Sequence, residues 1–162
     1  MKKYKHLIFI ILIVIACFCI DLVTKIVANN SLVEYERNEV IPNFFYFTLC
    51  YNTGGAWSIF SGNTLFLVVV SLVALGIVIY TMIKSKTKFY KYSCAIFIGG
   101  LIGNLYDRIV YSKVVDFLDF IIFGYDFPVF NIADCFICVG VVIMLIAMFK
   151  EEKNDGRISV KD

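Results

Sequence analysis

The residues of this chain that have chemistry to offer are mainly acids and amides, and several stand at helical spacing. Asp21 and Lys25 are four apart, so on a helix they share one face and can pair. Asn104, Asp107 and Arg108 follow an i, i+3, i+4 pattern and converge likewise. Asn52 opens a Gly-rich turn, "NTGG", and Asn131 and Asp134 head a long apolar run. Lys25 and Arg108 can neutralise Asp21 and Asp107, which leaves Asp116 and Asp134 without an obvious basic partner. Two carboxylates brought within a few ångströms cannot both ionise, and one keeps its proton near neutral pH. The ionised one can then take a proton from water while the protonated one hydrogen-bonds a scissile carbonyl, which hydrolyses a peptide without a covalent intermediate. Spacing alone does not single out this pair, because Asp119 and Asp126 are close by and equally acidic. Asp119 lies three residues from Asp116, so on a strand the two point to opposite faces and only one reaches such a dyad.

Other chemistries are poorly supplied. The single histidine, His6, is expected at the inner end of the first helix, away from the acids at the outer face, which removes Ser-His and Cys-His nucleophile pairs and argues against a histidine-based zinc site. Cys17, Cys19, Cys50, Cys94, Cys135 and Cys138 lie mostly in apolar runs, where cysteine behaves as a small hydrophobe. Cys135 and Cys138 have metal-type spacing but no second pair beside them. Neither a metal nor a cofactor is expected.

The elements that must position the acids are membrane helices. The chain is 60% hydrophobic and 17% charged, with a mean hydropathy of +0.84, too apolar for a soluble domain of this size. Residues 7–20, 40–83, 92–106 and 135–149 contain no Asp, Glu, Lys or Arg. With a window of about twenty residues they predict four spanning helices near 6–27, 64–83, 92–111 and 134–149 in one integral membrane domain, 1–162, ending in a polar tail at 150–162. Lys2, Lys3 and Lys5 followed by an apolar run and "VIAC" (14–17) also fit a cleavable leader. Helical register continues through Asp21 and Lys25 to Ala28, so the segment is read as an uncleaved first helix.

Charge orients the bundle. Eleven of the fifteen basic residues fall in the N-terminal segment, in the loop between the second and third helices and in the C-terminal tail. This bias puts both termini and that loop in the cytoplasm. Nine of the thirteen acids lie elsewhere, in outer loops or at the outer ends of helices. If Lys150 marks the inner boundary, a rise of about 1.5 Å per residue sets Asp134 roughly 24 Å up a hydrocarbon layer of about 30 Å. A substrate cut at that depth is a membrane helix or a lipid-linked chain. No aromatic–basic alternation points to nucleic acid.

Two outer segments have structure of their own. In 28–63, the aromatic and β-branched residues after Pro42 predict one or two short strands, and in 112–132 "VVDFLDFIIFGYDFPVFN" reads likewise. Together they predict a small sheet at the outer surface. "YDFP" (125–128) fits a lid over the site or a plain turn. Gly99, Gly100 and Gly103 have the small-residue spacing of close helix packing. Trp57 is expected as an interfacial anchor, or else as a wall of a lipid pocket. A proton or ion carrier would also keep acids in a bundle, but it needs a polar path to the inner side, and the inner halves of the second and fourth helices are apolar. A noncatalytic scaffold, with the charges as a structural ion-pair network, is the other competing reading.

Five motifs then carry a resemblance: "DLVTK" (21–25), "YNTGGAW" (51–57), "GNLYDR" (103–108), "VVDF" (114–117) and "FNIAD" (130–134), in this order on four spans. Any one is weak, but the ordered set resembles bacterial lipoprotein signal peptidase, signal peptidase II, over the whole chain apart from the polar tail. The resemblance implies an aspartic endopeptidase of the bacterial cytoplasmic membrane that works near the outer face. It would remove signal peptides from prolipoproteins already carrying a diacylglyceryl group on the cysteine after the cut. It implies Asp116 and Asp134 as the catalytic pair and Asp21, Lys25, Asn52, Gly54, Asn104, Asp107, Arg108, Asn131 and Ala133 as supporting site positions. A β-cradle after the first helix, contact with membrane lipid, a monomeric enzyme and inhibition by globomycin-type compounds are further expectations. Leu22, Gly55 and Cys135 stand where Gln, Ala and Ser are common, and none of these departures removes a carboxylate or a base.

Overall fold

The computed structural model describes residues 2–55 and 59–159. Trp57, expected as an anchor or pocket wall, lies outside the described residues. Eight elements follow in the order α1 (Lys2–Ser31), β1 (Arg37–Ile41), β2 (Phe45–Asn52), α2 (Thr64–Lys84), α3 (Lys88–Tyr111), β3 (Val114–Ile122), β4 (Tyr125–Asp126) and α4 (Ile132–Ser159).

Among the described residues, four helices are long and apolar enough to cross a membrane. A helix is the form these apolar runs must take in lipid, because it satisfies every backbone N–H and C=O within the segment. Their ends are set by local chemistry. Asn63 caps α2 by accepting from the Phe66 N–H at 3.3 Å, and Ser112 ends α3 in the left-handed region at φ 58°. The helix α4 runs on past Lys150 to Ser159, where a polar tail was expected.

The helix α3 is the centre of the bundle, with α1, α2 and α4 packed around it. Its buried positions include Ser93, Cys94, Ala95, Gly99, Gly100 and Gly103, small residues that let backbones approach. A Cβ on Gly100 would stand 2.4 Å from the Ala133 carbonyl oxygen, and one on Gly103 would stand 2.4 Å from Asp21 Oδ2. Those two positions therefore set α3 against the start of α4 and against the Asp21 carboxylate. Large apolar residues of α1 and α2, such as Leu12, Val23, Leu65, Val73 and Ile77, are exposed and form the surface offered to lipid.

The strands form one antiparallel sheet in the order β1, β2, β3, β4. The strand expected after Pro42 is β2, while β1 comes before that proline, in a charged stretch with little alternation to reveal it. The β2–β3 register pairs Phe47 with Leu118 and Cys50 with Asp116, so Thr48 and Leu49 together oppose Phe117 in a bulge. Phe45 stacks on Phe120 at 4.5 Å between centroids, and Phe120 stacks on Phe130 at 5.7 Å, which ties the sheet to the segment entering α4. Residues 125–126 of the "YDFP" stretch are β4, reached through a tight turn at Phe123 and Gly124 with φ of 51° and 79°.

Candidate active site

Three polar centres, two of them buried and the third half-buried, meet where α1, α3, β3 and the start of α4 converge. The first is Lys25 on α1. Its Nζ lies 2.8 Å from Asp21 Oδ2 and 3.0 Å from Asp107 Oδ2, and it donates to Asn104 Oδ1 at 3.0 Å. Lys25 is 3% exposed and Asp21 is fully buried, so this is a desolvated charge cluster inside the bundle. The bases are shared differently from the expectation. Lys25 serves both Asp21 and Asp107, whereas Arg108 forms no ion pair among the described residues. Arg108 sits one helical position beyond Asp107 and turns instead toward backbone carbonyls, donating to Gly54 O at 3.0 Å and to Asn104 O at 3.4 Å.

The second centre is Asp134, at the start of α4. Asn131 and Asp134 close a reciprocal cap: the Asp134 N–H donates to Asn131 Oδ1 at 2.9 Å, and the Asn131 N–H donates to Asp134 Oδ2 at 3.2 Å. The spacing and geometry are those of a capping box, with Asn and Asp in place of the usual residues. The free side of the carboxylate, Oδ1, accepts from Asn104 Nδ2 at 2.7 Å. One residue earlier, the buried Ala133 donates its N–H to Asp21 Oδ1 at 2.8 Å, which moors the first turn of α4 to α1.

The third centre is Asp116 on β3. Asn131 Nδ2 donates to its Oδ1 at 2.6 Å and Asn52 Nδ2 to its Oδ2 at 3.0 Å. The Val115 N–H beside it donates to Asp107 Oδ2 at 3.3 Å, so β3 is tied to the Lys25 cluster immediately next to Asp116. Asn52 is itself held in the turn that follows β2, accepting from the Gly54 N–H at 2.8 Å and donating to Gly55 O at 3.3 Å. Burial raises the Asp116 carboxyl, the neighbouring Asp134 charge adds to this, and the Asn52 and Asn131 amides and Lys25 oppose it, leaving it pushed up to about 7.

Asn131 joins the centres. Its side-chain amide reaches Asp116 and also donates to Asn104 Oδ1 at 3.1 Å, while its backbone holds Asp134. The eleven residues singled out from sequence (Asp21, Lys25, Asn52, Gly54, Asn104, Asp107, Arg108, Asp116, Asn131, Ala133 and Asp134) thus belong to one connected set of hydrogen bonds and ion pairs. Asp119 and Asp126 stand apart from it. Asp119 accepts from Arg37 Nε at 2.7 Å and from Thr48 Oγ1 at 2.6 Å, and Asp126 pairs with the same Arg37. Gly103 is a neighbour of the site that spacing suggested only as a packing residue. The Val115 N–H carries no side-chain signal in a sequence and could not have been found there. Among the described residues, no group of three or more His, Cys, Asp or Glu is arranged to hold a metal ion.

The family model described as signal peptidase (SPase) II matches residues 13–150. A protein named lipoprotein signal peptidase from Listeria monocytogenes serotype 4a (strain HCC23) is 38% identical over 145 residues, covering 88% of this chain and 94% of its own. Another of that name from Staphylococcus aureus (strain JH9) is 37% identical over 153 residues, covering 93% of this chain and 94% of its own. A bacterial membrane enzyme solved by the in meso method at 2.3 Å resolution has a TM-score of 0.82 at 36% identity, covering 90% of each chain.

Proposed function

We propose that this chain, which belongs to the signal peptidase II family of membrane peptidases, cleaves the signal peptide from diacylglyceryl-modified prolipoproteins by aspartic catalysis at Asp116 and Asp134. Asp116 carries the shared proton, as a carboxyl pushed up to about 7 does at and below neutrality. Asp134 is the base. It draws a proton from a water molecule, whose oxygen bonds to the scissile carbonyl carbon while the Asp116 proton hydrogen-bonds the carbonyl oxygen. The tetrahedral intermediate collapses with cleavage of the C–N bond, the departing amine takes a proton from the dyad, and the shared proton is restored. Asn52, Asn104 and Asn131 hold the two carboxylates in a fixed geometry, so little reorganisation accompanies the reaction.

The observation that carries this reading is the grip of one residue, Asn131, on carboxylates from two separate elements. The bias of basic residues supports cytoplasmic termini and a site near the outer leaflet, where a lipid-modified cysteine and its signal helix would lie. The enzyme acts as a monomer within membrane lipid and is inhibited by globomycin-type compounds. Its test is to replace Asp116 and Asp134 separately by Asn and follow a lipidated prolipoprotein by gel shift. Loss of processing in both folded variants is expected, and full processing by either removes the dyad.

A further inference from the structure

We infer that Arg37, Asp119 and Thr48 form a register pin, a positioning device that fixes which face of β3 presents Asp116 to α4. The inference rests on the dyad reading above. Arg37 on β1 stands directly opposite Thr48 on β2, and its guanidinium reaches across β2 to grip Asp119 on β3 with both Nε at 2.7 Å and Nη2 at 3.2 Å. Nη2 also meets Asp126, so one side chain touches all four strands or their partners. Asp119 is fully buried, and Thr48 supplies its third hydrogen bond, at 2.6 Å.

This clamp lies where the sheet is least determined. Between Phe47 and Cys50 the β2 strand carries one residue more than β3, and Thr48 is one of the two bulged residues. A bulge can migrate, and a slip of one residue turns every side chain beyond it to the other face. Asp116 pairs with Cys50 at the far edge of that bulge, so a slip would carry it away from Asn52 and Asn131. Binding Thr48 to Asp119 fixes the bulge at its position. Asp116 and Asp119, three residues apart, share no partner, as opposite faces require.

The test compares Asp119→Ala, Asp119→Asn and Arg37→Ala in full-length enzyme, measuring kcat, KM and the pH profile on a lipidated prolipoprotein. A misplacement of about 1 Å can cost about 100-fold in rate, so Asp119→Ala should lose kcat on that scale with KM little changed. Its basic limb should move toward acid, because Asp116 then leaves Asp134. Asp119→Asn, which keeps an acceptor for Thr48, should recover most of the rate. Arg37 is 41% exposed, so Arg37→Ala leaves no void, and the double variant Arg37→Ala/Asp119→Asn, which leaves no buried charge unpaired, reports where a single variant fails to fold. Normal kcat and an unshifted limb in folded Arg37→Ala or Asp119→Ala, with Asp116→Asn inactive, overturn the pin alone. Normal processing by Asp116→Asn overturns the dyad and the pin with it.

Discussion

Asn131 donates its side-chain N–H to Asp116 Oδ1 over 2.6 Å, across a gap that separates a strand from the helix following it. The same amide points its oxygen at the Asp134 N–H. Its orientation is therefore fixed at both ends, and turning it over would set oxygen against a carboxylate and nitrogen against an N–H. Replacing Asn131 by Ala should lower kcat by about 100- to 1000-fold, the scale for one preorganised donor at a reacting centre. Loss of the cap should cost about 1 kcal/mol of stability. Single-turnover processing and thermal unfolding in detergent measure the two effects. A loss of rate no larger than tenfold would show that the amide is only a cap.

The proposed dyad predicts that activity titrates. Asp116 gives up its proton as pH rises through about 7, so kcat/KM should fall there. The apparent value belongs to the pair and not to Asp116 alone. A profile that stays level across this range contradicts a shared proton.

Stability should follow the same group. Its folded value, about 7, lies above the ordinary 3.8, so the folded state holds a proton that the unfolded chain releases. That contribution is fully present below the unfolded value and is lost as pH rises through the folded one. The loss is at most about 4 kcal/mol. The unfolding temperature of the wild type should therefore fall from about pH 4 to about pH 7, the window between the two values, and Asp116→Asn should flatten that slope.

Lys25→Met should be the most damaging change to the scaffold. It leaves Asp21 and Asp107 buried without the cation that now lies within 3.0 Å of both. Breaking a buried pair in this way costs about 3–5 kcal/mol. Adding Asp21→Asn should return part of the loss. Amounts of folded protein and unfolding temperatures, compared across the single and double variants, give the coupling.

Gly100→Ala should loosen α3 from α4, because the new methyl would stand 2.4 Å from the Ala133 carbonyl and 2.9 Å from Phe136 Cβ. Overpacking of this kind costs about 1–3 kcal/mol. The shift falls next to Asp134, so kcat should drop as well. Gly76→Ala is the control. It lies in α2 with nothing within 4 Å of a Cβ, and it should leave activity unchanged.

Much of this was legible in the sequence because lipid imposes strict rules. Charge-free runs must be helices, and acids near their ends must find partners, which made Asp21 with Lys25 visible as a spacing and put Asn131 and Asp134 at the head of the last helix, though not as a cap. What was not legible depends on contacts between distant elements. Arg108 was expected to pair with an acid but holds Gly54 O instead, and that choice is made by the turn after β2. The strand β1 was missed because its residues are all exposed and lack alternation, so that only pairing with β2 defines it. Arg37 gave no signal of its own until the sheet brought Asp119 and Asp126 to it.

The cap at the head of α4 has one more consequence. Asp134 helps to build the very turn on which it rides, so the foundation and the proposed working part are the same side chain. Trading it for Ala would unsettle the ground as well as remove the tool, and an inactive protein would say little about either. Asparagine keeps an oxygen for the Asn131 N–H and turns its amide nitrogen toward Asn104, so that exchange spares the footing while it removes the proposed base.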